Sequence, residues 1–510
     1  MGFSGLLTIT VFLPIAGAIV IALLLRGDKL IRTFAALVAT ADLVLTVIVF
    51  ARYDTSVGGV QMVDKIRDWI PGMGDGFAVQ YFLGVDGLSA PLVLLTGLLG
   101  FVAVLASWHI GHRVREYFMW LLALQTGVMG VFLSLDFLMF FLFWELELLP
   151  MFMLISVWGS EPRNKREYSA MKFLIFTILG SAFMLVGILV LFFSTGTFDM
   201  TALPDAIAGG KLLLPAGMVF TLLFVAFAVK LPLWPFHTWL PDAHTDAPTA
   251  GSVMLAGVLL KMGGYGMLRV SVGMFPEVVS QFAWILATAG VINIVYGGIV
   301  VFRQTDLKRL IAYSSVSHMG FVVLGIASVA GVAGSVSPLG LTGAAMQMFT
   351  HGTITGLLFL LVGFIYDKAH TRYIPDLGGL AKRMPFVTVA LMVAGLASLG
   401  LPGTSGFVAE IMIFLGTFTV WPWATAIGAT GVVLAAGYIL WTMQRVMFGP
   451  IKERFADITD ASGMQFVPIA VLVFAIIVVG VFPSIISDVF SSGIEPITRS
   501  LENVAQTRLR

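Results

Sequence analysis

The chain has 510 residues, of which 58% are hydrophobic and 11% charged, against about 25% charged in an average soluble domain. With a mean hydropathy of +0.98, the bilayer is the expected solvent. A net charge of +1 leaves no basic field for nucleic acid, and the absence of cysteine excludes disulfides, iron–sulfur clusters and thiolate metal sites.

Taken in chain order, the apolar runs and the charged or Pro/Gly-rich breaks between them predict about fourteen spans, near 3–25, 31–51, 87–108, 117–135, 137–158, 170–193, 213–240, 249–271, 279–301, 308–329, 340–366, 386–419, 423–447 and 465–487. Each reaches about the 20 residues that a crossing helix needs. The first run has no basic lead and no small-residue cleavage pattern, so it reads as a retained helix. Period-2 alternation is absent, which favours helices over a barrel because backbone groups in lipid must be satisfied within their own segment or in a closed sheet. The predicted fold is all-α and polytopic, one membrane domain over 1–510. Helices one to three fall in 1–116, a five-helix unit in 117–272, a second in 279–448, and helix fourteen with a tail in 465–510.

Spans seven and twelve contain helix breakers, Lys230-Leu231-Pro232-Leu233-Trp234-Pro235 and Leu401-Pro402-Gly403-Thr404-Ser405-Gly406. Proline removes a backbone donor and clashes with the preceding turn, so both helices should be discontinuous. The two lie five spans apart and run in opposite directions, as an inverted repeat of spans four to eight upon nine to thirteen would give. If alternate loops share a side, one set carries 19 Lys/Arg and the other 8, with Lys230 and Lys261 inside spans. The positive-inside rule then puts both termini on the outer face.

A charge at the bilayer centre costs about 2.5–3.5 kcal/mol on insertion scales, so intramembrane ionisable groups need a reason. Glu145 and Glu147 lie in span five, Lys230 in seven, Lys261 in eight, His318 in ten, His351 in eleven and Glu410 in twelve. Counted from the nearest span end, Glu145, Lys261, His318 and His351 sit about 10–20 Å deep. Groups at one depth on different helices make a polar axis in the membrane plane, which suits protons hopping between side chains. A lone buried histidine is as readily a packing residue, which bears on His351 most. Glu147 is roughly opposite Glu145 on its helix, and it either faces another chain or is protonated and structural.

Phe143-Trp144-Glu145 through Pro150, Ala228-Val229-Lys230-Leu231-Pro232 running on to Trp239-Leu240-Pro241-Asp242-Ala243-His244, Leu259-Leu260-Lys261-Met262-Gly263 and Ala312-Tyr313-Ser314-Ser315-Val316-Ser317-His318-Met319-Gly320 together resemble the antiporter-like subunits of proton-pumping NADH:quinone oxidoreductase, respiratory complex I. The resemblance covers nearly the whole chain. It implies a proton path with Glu145 and Lys230 as an ion pair, Lys261 and His318 as central relays and Glu410 at the exit, with His351 as a further candidate. Of the L, M and N types, a glutamate in place of the usual lysine in span twelve marks type M. No cofactor is expected in this chain; NADH, flavin, iron–sulfur clusters and quinone would belong to partner subunits. The implied partners are the other membrane subunits, L and N among them, and lipids, in a bacterial inner membrane. A subunit of a multisubunit Na⁺/H⁺ antiporter or of a membrane-bound hydrogenase is the alternative.

Overall fold

A computed structural model describes residues 4–70, 79–331 and 335–509; Phe3, at the start of the expected first span, lies outside them. Among the described residues eleven helices are long and apolar enough to cross a bilayer: Leu6–Leu23, Asp28–Arg52, Val114–Leu133, Phe137–Trp158, Arg163–Thr195, Thr249–Val272, Pro276–Val301, Leu307–Val329, Pro338–Ala369, Pro422–Met447 and Gly463–Val481. The other three expected spans are the shorter Ala90–Ala106, span seven, which breaks after Ala216–Lys230, and span twelve, which divides into Pro385–Ser398 and Ser405–Phe418. Spans three, nine, eleven, thirteen and the first half of twelve all begin at or next to a proline, where the missing N–H leaves no helical bond unmade.

Spans eight, ten and eleven form the centre. In each, 94% or more of an 18-residue stretch is buried, against 28–39% for spans one, two, six, thirteen and fourteen. A ring of half-exposed apolar helices therefore shields a central group from lipid, and the ionisable residues lie toward that group.

Two features depart from what the sequence predicts. Gln61–Ile70 (β1) pairs antiparallel with Val79–Val85 (β2), Lys65 opposite Phe82, and this hairpin caps one end of the bundle. Asp64 on β1 accepts hydrogen bonds from the Ser4, Gly5 and Thr8 amides at 2.7–2.9 Å, closing the start of span one. The segment after span fourteen is a helix, Ser484–Leu509. It lies at the hairpin's end of the bundle, where a Cβ on Gly87 would meet the Val489 carbonyl at 2.3 Å and the Tyr53 and Ser492 hydroxyls are 3.3 Å apart. Both ends of the described chain thus sit at one end of the bundle.

Spans five and ten start alike. Asp136 accepts from the Leu138 and Met139 amides, and Asp306 accepts from those of Lys308 and Arg309, each a helix N-cap. Asp136 also bridges to Asp199 after span six, and Asp306 to Tyr373 after span eleven. The same device recurs five spans on, at the opposite end of the bundle.

Candidate functional site: a row of buried ionisable groups

Span seven stops being helical at Lys230, as the prolines at 232 and 235 require. The loosened turn is held by Asn293 of span nine, which accepts from the Trp234 amide at 2.6 Å and donates to the Pro232 and Val316 carbonyls at 3.2 Å each. Trp239 closes the other side by donating to the Val229 carbonyl at 3.0 Å. Against this break runs span eight, where a Cβ on Gly263 would lie 2.6 Å from the Leu231 amide nitrogen. Only glycine permits that approach.

The Lys230 ammonium is buried and paired with the equally buried carboxylate of Glu147. This corrects the expectation that Glu145 is its partner. Residues two apart on a helix face nearly opposite ways, and here the inward face belongs to Glu147. Glu145 is half-buried, beside the Ser181 hydroxyl of span six. The Trp144 and Phe173 rings each lie 5.6 Å from the Lys230 ammonium, a distance at which ring faces still attract a cation.

Further along, Lys261 Nζ is 2.8 Å from His351 Nδ1 and also donates to the Ala256 carbonyl. That carbonyl is presented by a π-helical turn, Leu255–Leu259, and a second, Met267–Val272, follows the short α-helical stretch holding Lys261. Such wide turns spoil the regular ladder and recur at functional positions. An ammonium has only donors, so a charged Lys261 makes Nδ1 the acceptor and puts the His351 proton on Nε2. That Nε2 has no partner among the described residues, and a small cavity lined by His351, His318, Gln347, Ser398 and Glu410 has room for about one water.

The His318 ring lies 5.6 Å from that of His351. Its Nε2 is 3.1 Å from the Ser398 hydroxyl and its Nδ1 is 3.6 Å from Glu410 Oε1. Glu410 lies just past the break in span twelve and is buried. Lys261, His351, His318 and Glu410 thus form one row across spans eight, eleven, ten and twelve. Lys230 stands apart from the row, with Glu147.

Over residues 134–436 the chain matches the family described as "NADH:quinone oxidoreductase/Mrp antiporter, TM". It is 41% identical over 510 residues to NADH-quinone oxidoreductase subunit M of Rhodobacter capsulatus, covering 96% of each chain. The chain belongs to the subunit M family of NADH-quinone oxidoreductases. Its fold matches a chain of respiratory complex I from Thermus thermophilus with a TM-score of 0.85 at 28% identity, covering 98% of this chain and 99% of that one. A chain of the Mrp complex from Dietzia sp. DQ12-45-1b shares the fold, with a TM-score of 0.81 at 20% identity and coverage of 98% and 99%.

In this member of the subunit M family several site residues escape sequence reasoning. Asn293 and Ser398 carry no charge to mark them in an apolar helix. His244 is fully buried against the Phe359 ring, 4.5 Å between centroids, and neither ring nitrogen has a partner among the described residues. It lies within reach of the charges of both Lys261 and Lys308. Its sequence neighbours Asp242, Thr245 and Asp246 make the approach to span eight polar, so this histidine does not stand out there.

Proposed function

We propose that this chain, a membrane-arm subunit of NADH-quinone oxidoreductase, carries protons along Glu145, Lys230, Lys261, His351, His318 and Glu410. The observation that carries the reading is the row from Lys261 to Glu410. Its members are of the three side-chain types whose proton affinity burial and neighbouring charge can bring within working range, and they lie within or near hydrogen-bond reach of one another across four helices. A proton entering at Lys261 can pass to His351, leave from the opposite ring nitrogen, cross the cavity by a bridging water and reach His318 and then Glu410.

Nothing along this row transfers electrons. The free energy comes from redox chemistry in partner subunits, which would hold the NADH site, the flavin, the iron–sulfur clusters and the quinone. The membrane neighbours would be the antiporter-like subunits L and N, in a bacterial inner membrane with both termini outside. The repeated Asp caps at 136 and 306 and the two broken helices support an inverted repeat, spans four to eight (117–272) upon nine to thirteen (279–448), flanked by 1–116 and 465–510. On this reading each unit supplies one half of the path.

Glu410→Gln tests the reading, since the amide keeps the shape but cannot take up and release a proton. Pumping in vesicles should fall by about a hundredfold, the lower reach of what a positioned proton donor contributes, at unchanged subunit content. Normal pumping would remove Glu410 from the path. Orientation is tested by single-cysteine labelling on this cysteine-free chain: positions near Lys165, Arg309 and Lys382 should label from the cytoplasm, and outer-side labelling at two of them would overturn the topology.

A further inference from the structure

The reading above gives Glu147 no task, yet Glu147 is the residue that holds Lys230. Three groups meet here: two carboxyls two residues apart on span five and one ammonium at the end of the broken helix. Were both carboxyls ionised, the cluster would carry a net negative charge in the membrane interior, where an uncompensated charge is costly. One proton held by one or other of the two balances it.

The geometry equips both carboxyls to take part. Glu147 Oε2 and Glu145 Oε1 each lack a hydrogen-bond partner among the described residues. At Glu147 the helical ladder is interrupted, Phe137–Leu146 ending before it and Leu148–Trp158 beginning after it, because Pro150 cannot donate to the Leu146 carbonyl. Glu147 is pinned from behind by Gly127 of span four, where an added Cβ would lie 3.0 Å from the Glu147 Cβ. Lys230 is the last helical residue before its break and swings on a four-carbon stem. The Trp144 ring, next in sequence to Glu145, lies 5.6 Å from its ammonium and offers a cation-attracting face.

We propose that Glu147 and Glu145 are two stations for Lys230, which exchange a single proton as the lysine moves between them. In the arrangement seen here the ammonium sits on the Glu147 carboxylate and Glu145 is protonated. In the other, the O–H bond at Glu145 breaks, its proton passes through the Ser181 hydroxyl or a water to Glu147, and the ammonium pairs with the Glu145 carboxylate. No electron moves, and the cluster has the same charge in both states, so the swing creates no net charge in the bilayer. Glu145, on the half-exposed side of the span beside the lipid-level Leu142, Leu146 and Leu149, is the outward station and Glu147 the inward one. The proposal rests on the proton-carrying reading above.

The test uses the intact complex in vesicles, with subunit content matched, and reads protons pumped per NADH together with redox-induced infrared difference spectra. The wild type should show a protonated-carboxyl band that changes with turnover and is lost in Glu147→Gln and in Glu145→Gln alike. The pumping ratio should fall several-fold in Glu147→Gln and recover in part in Glu147→Asp. A wild-type ratio in Glu147→Gln, or a band that Glu147→Gln leaves in place, overturns the proposal. If Glu147→Gln fails to assemble, Glu147→Asp decides: a shifted band with a lowered ratio supports it, and an unshifted band with a normal ratio overturns it. Lys261→Met, run in parallel, separates the two readings. If it abolishes pumping while Glu147→Gln pumps normally, only the two-station proposal fails; if it pumps normally, the proton path itself is wrong.

Discussion

The two broken helices solve one problem with opposite charges. At span seven the break presents an ammonium, Lys230, which meets a carboxylate from span five in a pair with no further hydrogen-bonded link toward the centre among the described residues. At span twelve the break presents a carboxylate, Glu410, which meets a histidine already in line with His351 and Lys261. The first is a closed pair at the edge of the core, and the second is the end of a row through its middle. A buried pair can wait in one state until something outside moves it, whereas a row conducts whenever its members can change protonation. On the proton-carrying reading proposed above, the difference gives gating to the Lys230 side and conduction to the Glu410 side.

Breaking the row should have the largest effect. Lys261→Met removes the group that His351 Nδ1 and the π-turn carbonyl share, and pumping should be lost with the assembled complex retained, measured as quinone reduction and proton uptake on the same vesicles. Cutting the gate should do less: Lys230→Met should reduce pumping without abolishing it, because the row itself stays intact. Loss equal to that of Lys261→Met would place both breaks in one conducting element and erase the distinction.

A smaller effect is expected for Asn293→Ala, which strips the break in span seven of its cap. It leaves the Trp234 amide and the Pro232 carbonyl unmatched, at about 1–3 kcal/mol for a buried group. The thermal midpoint of the complex should fall while the residual pumping per assembled complex stays near normal; an unchanged midpoint would show that the break holds itself.

The smallest effect concerns Asp64, far from both breaks. Burial alone would raise its pKa, but the Thr8 and Gly5 amides and the Thr8 and Ser4 hydroxyls together outweigh that and hold it below the ordinary carboxylate value. A carboxyl depressed in the folded state adds stability above its unfolded pKa and loses it as the pH falls through the folded one. Asp64→Asn should therefore lower stability by about 0.5–2 kcal/mol, the range for a lost cap, at neutral pH, with the difference from wild type vanishing on acidification below the ordinary Asp range. A difference that persists in acid would mean that the hairpin, rather than the charge, holds span one.

The breaks were legible because proline acts locally: whatever surrounds Pro232 or Pro402, the backbone donor is missing. Mid-span Lys261 and Glu410 stood out because a charge in an apolar run is costly in lipid, whereas His318, as readily a packing residue by itself, stood out through the resemblance. The choice between Glu145 and Glu147 was not legible, because span five is apolar on every side and its sequence carries no polar stripe to say which face turns inward. The resemblance favoured Glu145 and the packing of Gly127 against Glu147 decided otherwise. The π-helical turns around Lys261 were hidden for a related reason, since no proline marks Leu255–Leu259 or Met267–Val272. The hairpin read as connection because Asp64, Lys65, Arg67 and Asp68 interrupt its alternation.

The central claim is that the row works by giving up and regaining protons rather than by holding charge. Lys261→Arg tests it most directly, because arginine keeps a positive charge on a long side chain and does not release its proton. Measured as protons pumped per NADH at matched subunit content, Lys261→Arg should be as inactive as Lys261→Met. Pumping at the wild-type ratio in Lys261→Arg would contradict the account.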